Sequence, residues 1–363
     1  MCLEAYMSHQ ILYTTEITGV KAMSLRNGIK NYMTSKIFRK TSGVKDLDLG
    51  FTLTEILVSM IIAGLIMSGL MSLMVELVTS DARENSRNET QREMQMALDY
   101  ISSDIRESVY VYDGNCLEGQ TNTCRGFVNE IAVENSVPIL AFWKLEDLPP
   151  VAAENNCGRG IPDPDLEFPC LSGRSYSLII YYLTRNEEGN RTWSGLGRIR
   201  RARLAQFNSA GEPTGLIPPY GTDGVSFQTW TFSDHASGLE IRPITLVDFV
   251  DSRPMSEIAA QQEGVDQLTV TCPPSHIKTP SDNTLSQIND FADVRNFYAC
   301  IRDDRIGDDE EDQTQAFNQK VILFLRGNAA GKPGIRDANI GFMPAIQTQV
   351  LNRSVRQKRP RTF

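Results

Sequence analysis

The longest apolar stretch of the chain lies near its amino terminus. From Ile56 to Val75 there are 20 consecutive residues without a charged side chain. As an α-helix this run would be about 30 Å long, which matches the hydrocarbon core of a bilayer. A buried helix of a soluble core is the alternative. Basic residues precede the run and acidic residues follow it, a pattern typical of a membrane span whose amino-terminal flank is cytoplasmic.

The helical pattern extends beyond the apolar run. Residues 81–93 are almost wholly polar and contain neither Gly nor Pro. From Met94 to Ile105, apolar residues then recur at spacings of four, three and four, as on one face of a helix. We therefore expect a continuous helix from Phe51 to about Tyr110, its first half in lipid and its second half packed on a sheet.

Beyond this helix the pattern changes to short apolar runs separated by turns. Asp113-Gly114-Asn115 indicates a turn, and residues 147–174 indicate a long loop. The predicted strands are Val137–Lys144, Tyr176–Arg185, Arg198–Leu204, Val225–Phe232, Ile241–Val250, Gln267–Cys272 and Lys320–Arg326. The expected fold is α+β: a long amino-terminal helix packed on a mainly antiparallel sheet with loop insertions.

These patterns divide the chain into five segments. Residues 1–50 carry seven basic and four acidic residues and would form a cytoplasmic leader, with Met23 and Met33 as alternative starts. The other segments are a transmembrane helix (51–78), a helical stem that packs on the sheet (79–110), an exported β-rich domain (111–345) and a flexible basic tail (346–363). The formal net charge of −9 for the whole chain makes nucleic acid an unfavourable partner.

The junction between leader and helix reads Gly50-Phe51-Thr52-Leu53-Thr54-Glu55. With the basic leader and the apolar run directly after it, this junction resembles the amino terminus of type IV pilins and type II secretion pseudopilins. The resemblance implies that a prepilin peptidase cuts after Gly50 and methylates Phe51, and that Glu55 serves filament assembly. An ordinary secretory signal would place its cleavage site after the apolar region, whereas here the candidate site precedes it.

Three further stretches extend the resemblance: residues 89–101, 109–114 and 137–145. They are similar to pseudopilins of cyanobacterial hormogonium polysaccharide secretion systems. More generally, the order of helix, membrane-proximal sheet and hairpins within a large exported domain resembles minor pseudopilins of the J or W type. The resemblance implies a structural subunit of an inner-membrane filament that supports polysaccharide or protein export, with its carboxyl-terminal domain in the periplasm. Its partners would be the peptidase, other pseudopilins or pilins, the assembly platform and the membrane.

Two other functions remain compatible with the sequence. A minor subunit of a surface pilus for motility or adhesion would have the same junction. A non-polymerising, membrane-anchored carbohydrate-binding protein could use Trp143, Trp193 and Trp230 to stack on sugars, although each lies in or near a predicted strand, where core packing is the ordinary role. Glu55 argues against that last function, since a plain anchor gains nothing from an acid in its apolar segment.

Seven cysteines are present, and cleavage after Gly50 would remove Cys2. An even number on the exported side favours disulfides over a metal site, and no C-x-x-C pair suggests zinc. Six cysteines allow 15 pairings. Pairing neighbours, which we favour, gives Cys116–Cys124, Cys157–Cys170 and Cys272–Cys300.

No pattern of catalytic residues is evident in the sequence. The chain has three histidines, and it contains no G-x-S-x-G, P-loop or G-x-G-x-x-G sequence. The acidic residues of 303–312 could bind calcium, but their spacing is not that of an EF-hand and a solvated loop is the simpler interpretation. We expect neither an enzyme nor a cofactor.

Overall fold

The computed structural model describes residues 52–121, 124–149, 174–187, 189–190, 192–219, 225–261, 271–288, 291–302, 316–336 and 343–355. The helices are α1 (Leu53–Arg106), α2 (Gly114–Glu118), α3 (Phe232–His235), α4 (Met255–Gln261) and α5 (Asp282–Gln287). The strands are β1 (Ser108–Tyr112), β2 (Ser136–Asp147), β3 (Arg174–Arg185), β4 (Gly197–Ala205), β5 (Ile244–Val250), β6 (His276–Thr279), β7 (Phe297–Arg302), β8 (Ala316–Arg326) and β9 (Ala345–Val355). The expected combination of one long apolar amino-terminal helix with antiparallel sheets is confirmed.

The chain divides into two compact units, and the boundary in the sequence lies between Met71 and Ser72. In the first unit, the described residues belong to the beginning of α1 and are exposed. The second unit contains the rest of α1 and the strands. The helix ends at Arg106, short of the expected Tyr110, because the Ser108 hydroxyl donates to the carbonyl of Ile105 at 2.6 Å and β1 starts there. The last three residues of the stem expected over 79–110 are therefore strand.

The strands form two antiparallel meanders, whereas we expected one sheet. The first sheet has the order β1-β2-β3-β4-β5 and the second β6-β7-β8-β9. An isolated bridge joins Val250 to Gly327. The side-chain amide of Gln319 also links the sheets: it accepts from the Val111 N–H at 2.9 Å and donates to the Val111 carbonyl at 3.0 Å. It thus pairs with β1 much as a neighbouring strand would.

One face of α1 and both sheets enclose the main core. This core contains Met94, Ala97, Leu98, Ile101 and Ile105 of α1; Val111, Val137, Phe142, Ile179, Tyr181, Leu183, Ile199 and Val250 of the first sheet; and Phe297, Ala299, Ile301, Val321, Leu323, Leu325 and Val350 of the second. The predicted spacing of apolar residues from Met94 to Ile105 therefore marks a buried helix face. Removing so many apolar side chains from water is the main stabilisation of this unit.

A second core covers the opposite face of the first sheet. Leu178, Ile180 and Tyr182 of β3 point into it, whereas the residues between them point to α1. This explains why β3 is apolar throughout, since strands with both faces buried lack the usual alternation. Trp143 and Trp230 are fully buried here with ring centroids 5.1 Å apart, so both serve core packing.

The expected strand Val225–Phe232 is wrong. Its apolar residues are spaced by two, three and two positions, and Ser226 and Thr229 bond to each other's backbone and side chains: the Ser226 N–H donates to Thr229 Oγ1 at 2.9 Å. Trp230 N–H donates to the Ser226 carbonyl at 3.0 Å, which closes a turn. Such local bonds compete with strand pairing. Likewise, Asp113 does not simply form a turn: its carboxylate accepts from Cys116 N–H at 2.8 Å and caps α2.

The carboxyl-terminal region is more ordered than we expected. We assigned residues 346–363 to a flexible tail, but Ala345–Val355 is β9, paired with β8 along its whole length. Strands β1, β6 and β7 were not predicted either. The predicted strand Gln267–Cys272 lies largely outside the described residues, and its last two residues are not in a strand.

Candidate functional site

The first half of α1 is the most unusual surface of the described chain. Its large apolar side chains between Leu53 and Val78 are 46% to 81% exposed. Leaving so much apolar surface in water is unfavourable by about 25 cal/mol per Å². Among the described residues, α1 alone is long and apolar enough to cross a membrane. The helix is therefore compatible with a single-pass membrane anchor.

Glu55 lies in the first turn of α1. Its backbone N–H donates to the Thr52 carbonyl at 3.0 Å, so Thr52 starts the helix. The carboxylate is thus placed at the positive end of the helix dipole, a favourable position for an acid. Gly50 and Phe51, the expected processing site, lie outside the described residues.

Asp104 joins the far end of α1 to the first sheet. Its carboxylate accepts from Lys144 Nζ of β2 at 2.9 Å, the Tyr181 hydroxyl of β3 at 2.7 Å and Arg201 Nε of β4 at 2.8 Å. Burial raises the pKa of Asp104, but the hydrogen bonds from Arg201, Lys144 and Tyr181 outweigh burial, so the pKa lies below its usual value. Asp104 is therefore a buried, ionised link between the helix and three adjacent strands.

Sequence reasoning missed this link. Asp104 lies on the apolar helix face, between Ile101 and Ile105, where an acid is out of place. Strand β4 contains four arginines, two of which point towards α1. A buried charge needs a partner of opposite charge. An acid on an apolar helix face, together with arginines in an inward-facing strand, was therefore the sequence signal for an ion pair between helix and sheet.

The segment between β8 and β9 contacts successive turns of α1. Arg83 Nε donates to the Gly334 carbonyl at 3.0 Å, and the Ser86 hydroxyl donates to the Pro333 carbonyl at 2.9 Å. Lys332 Nζ lies 2.8 Å from Glu93 and 4.6 Å from the centre of the Phe249 ring. We call residues 327–336 the stem loop.

Glycine allows the stem loop to approach the helix. Gly334 has a φ of 80°, and a Cβ there would lie 3.0 Å from the Arg83 nitrogen. A Cβ on Gly327 would lie 2.8 Å from Met94 Cγ. A side chain on Gly334 would therefore crowd the backbone of the helix, and one on Gly327 would displace the Met94 side chain.

The stem loop gives a testable prediction. Lys332→Met keeps the apolar stem but removes the charge that Glu93 and Glu89 share, so we expect the free energy of unfolding to fall by about 1–2 kcal/mol. Hydrogen exchange of the amides in residues 82–94 should increase. Lys320→Met is the control, because Lys320 makes no ion pair within the described chain. Unchanged exchange in Lys332→Met would show that this contact does not hold the helix.

Two of the favoured disulfides are present. Cys116 is bonded to Cys124, and Cys272 to Cys300. The first closes the loop after α2, and the second ties the segment before β6 to β7. Cys157 and Cys170 lie outside the described residues.

The other residues considered for binding do not come together within the described chain. His235 Nδ1 lies 3.0 Å from the Thr231 carbonyl and His276 Nδ1 lies 3.1 Å from the Pro274 carbonyl, both local contacts. Within the described ranges, no group of three or more His, Cys, Asp or Glu side chains could hold a metal ion. The acidic segment 303–312 lies outside these ranges.

Two features of the described chain therefore bear on function. The first half of α1 is apolar and exposed, and the apolar face of its second half is buried by the two sheets. Comparison with protein-family models, curated proteins and solved structures finds no match to this chain.

Proposed function

We propose that the protein is a structural minor pseudopilin: a membrane-anchored subunit of a filament that supports polysaccharide or protein export. One observation carries the proposal. A single helix, α1, has an exposed apolar half from Leu53 to Val78 and a half whose apolar face is buried by two sheets. The first half suits a lipid or helix-lined environment, and the second half fixes the folded unit to it.

The two disulfides support a location outside the cytoplasm. Disulfides persist in oxidising compartments, such as the bacterial periplasm, and are rare in the cytosol. Both join cysteines that follow α1 in the chain, Cys116 to Cys124 and Cys272 to Cys300. The basic residues of 1–50 favour retention of the leader in the cytoplasm. Both observations support an orientation with the folded unit in the periplasm.

Processing at the leader junction tests this function. We expect mass spectrometry of the native protein to find a methylated Phe51 as the first residue. Gly50→Asp should leave the full-length precursor in the membrane, because the peptidase site would then carry a charged side chain. Gly43→Asp, a matched change within the leader, should be processed normally. A native amino terminus elsewhere would contradict the pseudopilin assignment.

A further inference from the structure

The arginines of β4 are divided between the two faces of the first sheet. Arg201 and Arg203 point to the α1 side, where they pair with Asp104 at 2.8 Å and Glu146 at 2.5 Å. Arg198 and Arg200 point to the other side, and neither forms an ion pair with any described residue. Side chains two residues apart on a strand lie about 6.5 Å from each other. Among the described residues, two cations therefore share one face and neither is paired with a carboxylate.

The positions of these two guanidinium groups are fixed by neutral neighbours. Arg200 Nη2 donates to the Pro243 carbonyl at 2.8 Å, and Arg198 Nη1 donates to Asn186 Oδ1 at 2.5 Å. The Asn186 amide donates in turn to Asp248 at 2.8 Å, so this carboxylate is one residue removed from Arg198. A guanidinium has five N–H donors, and within the described chain one donor of each arginine has an acceptor.

Electrostatics shows that the two charges act on each other. Burial lowers the pKa of Arg200, and the positive charge of Arg198 lowers it further. The Nε of Arg198 is buried and has no hydrogen-bond acceptor among the residues that the structure describes. A bound oxyanion would relieve this repulsion, and arginine is well suited to a two-point contact with a carboxylate.

An aromatic ring adjoins the pair. The guanidinium carbon of Arg198 lies 5.6 Å from the centre of the Trp193 ring. Trp193 is partly exposed, whereas Trp143 and Trp230 are fully buried. A partly exposed indole beside cationic donors offers an apolar face for a sugar ring and a charge for its acidic group.

We propose that Arg198, Arg200 and Trp193 form a binding site for an acidic sugar, the guanidinium groups holding its carboxylate and the indole contacting its ring. The site lies on the sheet face away from α1. It therefore does not depend on the helix half that we assign to the membrane, and it holds whether or not the protein enters a filament.

The test measures binding of a galacturonate oligomer to the full-length protein in a non-ionic detergent. The protein has three tryptophans, and only Trp193 is accessible, so its fluorescence should change on binding. We expect the double variant Arg198→Gln/Arg200→Gln to lower affinity by on the order of tenfold or more, measured by calorimetry. Trp193→Phe should lose the fluorescence change.

Two control variants isolate the site. Arg203→Gln changes the other face of the same strand, and Arg242→Gln changes an exposed arginine that pairs with Glu240. Both should bind the oligomer as the native chain does, and all variants should keep the native thermal unfolding midpoint to within a few degrees.

Three results would overturn the proposal. These are no binding by the native chain, equal binding by the double variant, or equal affinity for a neutral dextran oligomer. Poly-glutamate or inorganic sulfate that competes as strongly as the sugar would assign the arginines to a general anion site and overturn the saccharide assignment.

Discussion

Replacing Asp104 with alanine is expected to lower the free energy of unfolding by about 3–5 kcal/mol, as found when one partner of a buried ion pair is removed. The carboxylate accepts hydrogen bonds from three strands, and its side chain is only 7% exposed. Lys144 would keep Glu107 at 2.7 Å, but Arg201 would be left as a largely buried cation without its partner. Urea unfolding of the full-length protein in detergent measures the loss.

Asp99→Ala is the matched control, since Asp99 is exposed on the same helix and bonds only to Gln95 within the described chain. Its effect on the free energy of unfolding should stay within about 0.5 kcal/mol.

The pH dependence of the free energy of unfolding is a second test of the Asp104 link. Because the pKa of Asp104 is lowered in the folded state, its stabilisation is present above the unfolded pKa of about 3.9 and is lost as pH falls further. Native protein should therefore lose stability below about pH 4 more steeply than Asp104→Ala. Equal slopes and a small loss would show that the link is not ionised.

Replacing Glu55 with alanine is expected to abolish most filament assembly while leaving insertion and cleavage intact. A carboxylate at mid-membrane costs about 2.5–3.5 kcal/mol on insertion scales, and less near a helix end, so it needs a partner. Cleavage after Gly50 would create one, the amine of Phe51. A pair between Glu55 of one subunit and Phe51 of the next would set the axial register. Glu55→Asp should retain part of the function.

Glu76→Ala provides the comparison, because Glu76 is the exposed acid at the other end of the apolar run. Cross-linking of membranes and a secretion assay should show assembly near the native level for this variant. If Glu55→Ala enters filaments as well as the native protein does, the proposed role of Glu55 is wrong.

The strongest local patterns predicted the structure well. The apolar spacing from Met94 to Ile105 identified the buried helix face, and β2, β3, β4 and β8 were predicted near their observed bounds. In each case burial decides the conformation, and burial leaves a periodic trace in the sequence. The neighbouring cysteines are paired as favoured at both described bridges, which span 8 and 28 residues.

Three of the failures involve polar side chains that act on the backbone, face solvent or bond to distant strands. Hydrogen bonds between Ser226 and Thr229 form a turn where we expected a strand. Strand β9 is an edge strand whose exposed face carries Gln347 and Gln349, while Asn352 is buried, and so polar a strand resembles a tail in sequence. The Asp104 link joins residues up to 97 positions apart, a relation that no local window contains.

The order of the strands has a consequence for synthesis. Because the ribosome releases the amino terminus first, α1 and β1–β5 are complete before any strand of the second sheet exists. The second sheet supplies Phe297, Val321 and Val350 to the core around α1. A chain that stops before β6 therefore lacks all of these residues and leaves part of the apolar face of α1 uncovered. Quality-control proteases recognise such surfaces, so premature termination upstream of β6 should mark the product for degradation.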